Sequence, residues 1–118
     1  MAAFKVSLSI DQGADFSKLV TWKAGTPAVA VNLTGCTAEA QVRATIDSPT
    51  VLLSLSTVSN TIVLGGVAGT IEIIVPRALT EGVAWRSGVY DLELTLANGK
   101  KRRLLSGAVT ISPEITRA

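Results

Sequence analysis

Two alternating apolar runs on either side of Asn98-Gly99 constrain this chain more than any other feature. The first is Tyr90-Asp91-Leu92-Glu93-Leu94-Thr95-Leu96, and the second is Arg103-Leu104-Leu105-Ser106-Gly107-Ala108-Val109-Thr110-Ile111. Successive side chains of a strand point to opposite faces, so Tyr90, Leu92, Leu94 and Leu96 share one side while Asp91, Glu93 and Thr95 face water. Asn-Gly readily supplies the positive φ values of a type I′ turn. The segment therefore reads as a β-hairpin with one face to bury. A two-residue loop sets Leu92 opposite Leu105, and a four-residue loop through Lys101 sets Leu94 there; both registers keep the apolar faces together.

The same period runs through most of the chain. Phe4, Val6, Leu8 and Ile10 alternate with Lys5, Ser7, Ser9 and Asp11, and Gln12-Gly13-Ala14-Asp15 then breaks the pattern as a turn. Phe16 to Lys23 reads as a second strand in which Lys18 shares a face with Phe16, Val20 and Trp22. A lysine there snorkels, unless a bulge shifts the register. Ala28 to Leu33 reads as a short extended piece crossing between sheets. From Cys36 to Ile46 the alternation holds for eleven residues, which places Cys36, Ala38, Ala40, Val42, Ala44 and Ile46 inward. The small side chains among them let an opposing sheet approach closely or accept a bulky partner such as Trp22. Val51 to Leu55, Thr61 to Leu64 and Thr70 to Val75 read as further strands, with Ile71, Ile73 and Val75 inward. Gly65 to Gly69 reads as a reversal. Pro76 and Gly82 bracket a single helical turn over Arg77 to Gly82, the only helix expected.

About eight short strands with turn signals every 8 to 12 residues predict an all-β fold, an Ig-like antiparallel β-sandwich with one short helical turn. At 118 residues the chain reads as a single domain, 1–118. Only 17% of its residues are charged, below the roughly 25% of an average globular chain. A surface so poor in charge suits a subunit packed among neighbours. No run approaches the roughly 18 to 20 apolar residues of a membrane span, and Met1 to Lys5 goes straight into alternation without a secretory h-region. No membrane association is expected.

The chemistry within the chain is sparse. Histidine is absent, which excludes Ser-His-Asp and Cys-His catalysis and histidine-bound metals. Cys36 is the sole cysteine, so there is neither an intrachain disulfide nor a thiolate cluster. Asp91 and Glu93 project from one strand face roughly 6 to 7 Å apart at strand rise, but any exposed strand with alternate acids gives that spacing. Gly65 to Gly69 lacks the Gly-Lys-Ser/Thr that a phosphate loop needs. The chain is expected not to be an enzyme and to use no cofactor. Lys100-Lys101-Arg102-Arg103 concentrates much of the basicity, yet stacking aromatics are missing, so nucleic acid is not expected as a partner. The residues expected to touch other proteins are these four, Trp85 and Arg86, together with both termini, since Trp and Arg are common interface anchors.

Gln12-Gly13-Ala14-Asp15-Phe16, Val20-Thr21-Trp22-Lys23, Asn32 to Ala38 leading to Gln41-Val42-Arg43, Gly88 to Leu94, and Gly107 to Arg117 together carry a resemblance. The chain resembles a family of small virion proteins of tailed bacteriophages. It is similar to the amino-terminal domain of phage baseplate upper proteins, an Ig-like β-sandwich that attaches receptor-binding apparatus to the virion. Lys18 stands where the family would place an apolar residue, and Cys36 replaces an aromatic. The resemblance implies a virion structural protein at the tail, neck, baseplate or fibre attachment, present as a homo-oligomer or in repeated copies and contacting other virion proteins. It would be made in the bacterial host cytoplasm. A capsid decoration protein is the alternative, and a carbohydrate- or receptor-binding module is a further one.

Overall fold

The computed structural model describes residues 4–115. The contact roles expected of residues 1–3 and 116–118 lie outside the described residues. Eleven strands and two 3-10 turns follow one another. They are β1 (Phe4–Lys5), β2 (Leu8–Asp11), β3 (Phe16–Thr21), β4 (Lys23–Ala24), β5 (Val29–Ala30), β6 (Thr37–Arg43), β7 (Leu53–Ser56), β8 (Ile62–Leu64), β9 (Thr70–Val75), β10 (Ser87–Thr95) and β11 (Lys101–Ser112), with the 3-10 turns at Gly66–Ala68 and Arg77–Leu79. The protein is all-β. The larger sheet has the order β1-β11-β10-β6-β7, with β2 continuing the line of β1 along β11; β3-β9-β8 form a smaller sheet, and β4-β5 a two-stranded ribbon.

Alternation explains how the two sheets meet. Leu8, Ile10, Ala38, Ala40, Val42, Leu92, Leu94, Leu105, Val109 and Ile111 from the larger sheet, and Ile62, Ile71, Ile73 and Val75 from the smaller, belong to one buried cluster. Each fully buried aliphatic side chain contributes about 1.5–3 kcal/mol. Trp22, only 5% exposed, joins them from the break between β3 and β4. β3 pairs with β9 in an unbroken register, and Lys18 is exposed opposite buried Ile73. The lysine therefore sits on the core-facing side of an edge strand and reaches water without a bulge.

The hairpin forms, but with a different turn. Leu96 N–H donates to the Lys100 carbonyl at 2.8 Å and Gly99 N–H to the Leu96 carbonyl at 2.8 Å, so the loop is the three residues Ala97-Asn98-Gly99. Gly99 has φ +87° whereas Asn98 is not left-handed, which is a type I turn closed by a left-handed glycine and not type I′. Near the tip Glu93 pairs with Arg103. A register shift follows, and Leu92 pairs with Leu105. Leu104 is the extra residue of this bulge, and both Leu104 and Leu105 are buried. One added residue thus restores the register that a two-residue loop would have given.

Other boundaries also move. β6 ends at Arg43, and neither Ala44 nor Ile46 is inward: Ala44 is exposed and Ile46 is 85% exposed. β7 and β10 offer no partners beyond Val42 and Arg43, so the chain turns, with Ser48 N–H donating to the Thr45 carbonyl. Phe4 is 45% exposed, not buried, because β1 lies at the sheet edge. Cys36 precedes β6 and is half-buried. The helical turn spans Arg77–Leu79 rather than 77–82, and Gly66–Ala68 adds a second that the pattern did not predict.

β1 and β2 run parallel to β11, with Phe4 opposite Leu105 and Leu8 opposite Val109. Between them Val6 crosses Gly107, where any Cβ would collide with the Val6 carbonyl oxygen. Tyr90 pairs with Gly107 and uses the space, donating its hydroxyl to that same carbonyl at 2.6 Å.

The strands define the long axis. Twelve residues of β11 at about 3.3 Å each span roughly 36 Å, which only the longest of the molecular extents, 46 × 29 × 25 Å, can hold. One end carries the β10–β11 loop, the β4–β5 ribbon and the turns at 34–36 and 65–69. It is tied together by Trp22 N–H to the Gly69 carbonyl and Leu33 N–H to the Gly66 carbonyl, each at 2.8 Å. The opposite end carries residues 12–15, 44–52, 76–86 and 113–115. Gln12 clamps it: its amide donates to the carbonyls of Thr80 and Val83, both at 3.0 Å, and accepts from Glu114 N–H at 3.3 Å.

Candidate functional site

The pleat of β11 divides the basic run. Lys101 pairs with Thr95 and Arg103 with Glu93 on the outer face of the larger sheet, while Arg102 pairs with buried Leu94 on the core face. The Arg102 guanidinium carbon lies 5.4 Å from the centroid of the Trp22 ring, close enough for a cation–π contact. Arg102 is a lid on Trp22 and not one more charge of a free patch. Arg103 Nε lies 3.3 Å from Asp91 Oδ2, with the two side chains 62% and 41% exposed; such a solvated pair contributes under about 1 kcal/mol. Lys100 and Lys101 remain exposed at the tip, without an ion-pair partner among the described residues.

Trp85 and Arg86 lie at the other end of the molecule. Trp85 is half-buried against the core cluster, and its indole N–H is buried with no acceptor among the described residues. It caps the core. Arg86 is exposed and donates weakly to the Val83 and Trp85 carbonyls at 3.4 and 3.3 Å, while its own carbonyl accepts from Ile111 N–H at 2.8 Å. The structure therefore does not bring the six expected contact residues together; it sets four at one end and two at the other.

A shallow groove of about 510 Å³ crosses the outer face of the larger sheet, its walls including Lys5, Gln41, Arg43, Asp91, Glu93 and Arg103. Strand order builds it, because Lys5, Ser106, Asp91 and Gln41 occupy one row across β1, β11, β10 and β6. Every cation in it has a neighbour: Lys5 Nζ donates to Ser106 Oγ at 3.3 Å, Arg43 donates to the Ser48 carbonyl at 2.8 Å and to Gln41 Oε1 at 2.9 Å, and Arg103 holds Asp91. Glu93 faces Glu39 directly across β10 and β6, a like-charge arrangement that weakens a sheet unless solvent screens it. Among the described residues no group of histidine, cysteine and carboxylate side chains could hold a metal ion. Beneath the groove, burial pushes the Tyr90 hydroxyl from 10.0 up to about 12.

No protein-family model matches the chain, and no curated protein matches it in sequence. The functional reading therefore rests on the surfaces themselves. The groove escaped the sequence reading because its row joins residues 5, 106, 91 and 41. Outward alternation marks each of these as solvent-facing, but nothing local marks them as neighbours.

Proposed function

We propose that the protein is a structural component of a bacteriophage virion, an Ig-like β-sandwich that works through protein–protein contacts at the tail, neck, baseplate or fibre attachment. The observation that carries this reading is the apolar surface: Ile46, Val58, Val67 and Ile115 are 85%, 90%, 73% and 92% exposed. Leu19 and Val63 flank Glu72 on the outer face of the smaller sheet, 62% and 44% exposed. Apolar side chains left uncovered at both ends and on the outer face of the smaller sheet give neighbouring subunits area to bury. In the polar groove each cation is already engaged, Arg103 by Asp91, Arg43 by Gln41 and the Ser48 carbonyl, and Lys5 by Ser106. The partners are other virion proteins, and the chain acts in repeated copies.

Particles purified from infected host cells test this directly by mass spectrometry and electron microscopy. The expected result is several copies per particle in density at the tail or its attachment. Recovery from the lysate but never from purified particles overturns the virion reading. Binding to tail-less capsids overturns the tail placement in favour of decoration.

A further inference from the structure

The two ends of the long axis carry opposite charge. The end with the β10–β11 loop comprises residues 21–36, 64–70 and 95–102, and its ionisable side chains are Lys23, Lys100, Lys101 and Arg102 with no carboxylate among them. Among the described residues the opposite end carries Asp11, Asp15, Asp47, Glu81 and Glu114 against Arg43, Arg77 and Arg86. Of these three cations, Arg77 lies 3.9 Å from Glu81 and Arg43 is turned onto the Ser48 carbonyl and Gln41. Each end also exposes apolar side chains: Val29 and Val67 at the basic end, 63% and 73% exposed, and Ile46 and Leu79 at the acidic end, 85% and 38% exposed. Apolar area together with charge is what a protein interface buries.

We infer that the basic end of one copy docks on the acidic end of the next, so that copies of this chain associate head to tail along the strand axis. The occupant is a second copy because complementary charge and apolar patches lie at opposite ends of the same molecule. A contact between two like ends would oppose charges of one sign, which disfavours it. A head-to-tail contact uses two different surfaces and either closes as a ring or runs on as a filament. Arg102 stays over Trp22 and adds its charge to the field of this end. The inference rests on reading the chain as an assembly subunit, but its test uses the isolated chain. A particle lacking the protein would remove the virion reading and leave this contact standing; a strictly monomeric chain would do the reverse.

The experiment is sedimentation velocity of the full chain across protein and salt concentration. The expected result is self-association at about 10 mM salt, where the Debye length is roughly 30 Å, that weakens roughly tenfold or more near 0.15 M, where it is about 8 Å. Lys100→Glu/Lys101→Glu leaves Lys23 and Arg102 against two carboxylates and so cancels the charge of the basic end, whereas Asp11→Lys/Asp47→Lys makes both ends basic. All four positions are exposed, and none carries a side-chain hydrogen bond among the described residues. Each variant alone should be monomeric at low salt, with an unchanged far-ultraviolet dichroism spectrum. Mixed in equal amounts they should associate again, because each restores the end the other lacks. A monomeric parent chain at low salt, variants that still self-associate, or a mixture that stays monomeric overturns the inference.

Discussion

Replacing Tyr90 by Phe leaves the Val6 carbonyl without its 2.6 Å donor in a part-buried place, and an unpaired acceptor there costs about 1–3 kcal/mol. Urea titration should therefore show Tyr90→Phe less stable by that amount, with an unchanged m-value. The same hydroxyl sets a pH dependence. Its folded-state pKa of about 12 lies above the ordinary 10.0, so its contribution is complete below pH 10 and is lost as pH rises through 12. Within that window stability falls by up to ~1.4 kcal/mol per pH unit, because the unfolded chain releases the proton first. The parent should lose stability more steeply than Tyr90→Phe between those pH values; parallel profiles would remove the argument. Gly107→Ala is expected to be worse than Tyr90→Phe, since its Cβ would strike the Val6 carbonyl and β1 would have to lift from β11. At this scale the sequence was informative about side: Tyr90, Leu92, Leu94, Ile71, Ile73 and Val75 are buried as alternation demanded. It was silent about Gly107 and Gln12, whose tasks are close approach and a carbonyl clamp to residues about 70 to 100 positions away.

Strands were legible wherever alternation met a partner strand of equal length. β9 has the bounds read from Thr70 to Val75, and β10 contains the run read from Tyr90 to Thr95. Alternation failed at Ala44 and Ile46 because a period of two describes what a segment could bury, while pairing decides whether it does. The bulge did leave a trace: Leu104 and Leu105 are adjacent apolar residues in an alternating run, and two such neighbours cannot both face inward without an extra residue in the ladder. The loop depends on Gly99 at φ +87°. Gly99→Ala should cost about 1–2 kcal/mol from the left-handed backbone alone, since nothing lies within 4 Å of the added Cβ; thermal melts should show it. Arg102→Ala should uncover Trp22, shift tryptophan emission to the red and cost about 0.5–2 kcal/mol in lost cation–π contact and packing. An unchanged spectrum would show that Arg102 does not shield the indole.

For the whole molecule, sheet order was the least legible property, because it is set by pairings between distant residues such as Lys5 with Ser106. Alternation marks faces and leaves neighbours open. A fold so dominated by long-range strand pairing has high contact order, and stopped-flow refolding should proceed in milliseconds to seconds rather than microseconds. The parallel seating of β1 and β2 on β11 has one more consequence, felt while the polypeptide is being made. Leu8 and Ile10 leave the ribosome about a hundred codons before the strand that receives them. Until then the nascent β2 carries bare greasy side chains with no seat, and chaperones have a long opportunity there.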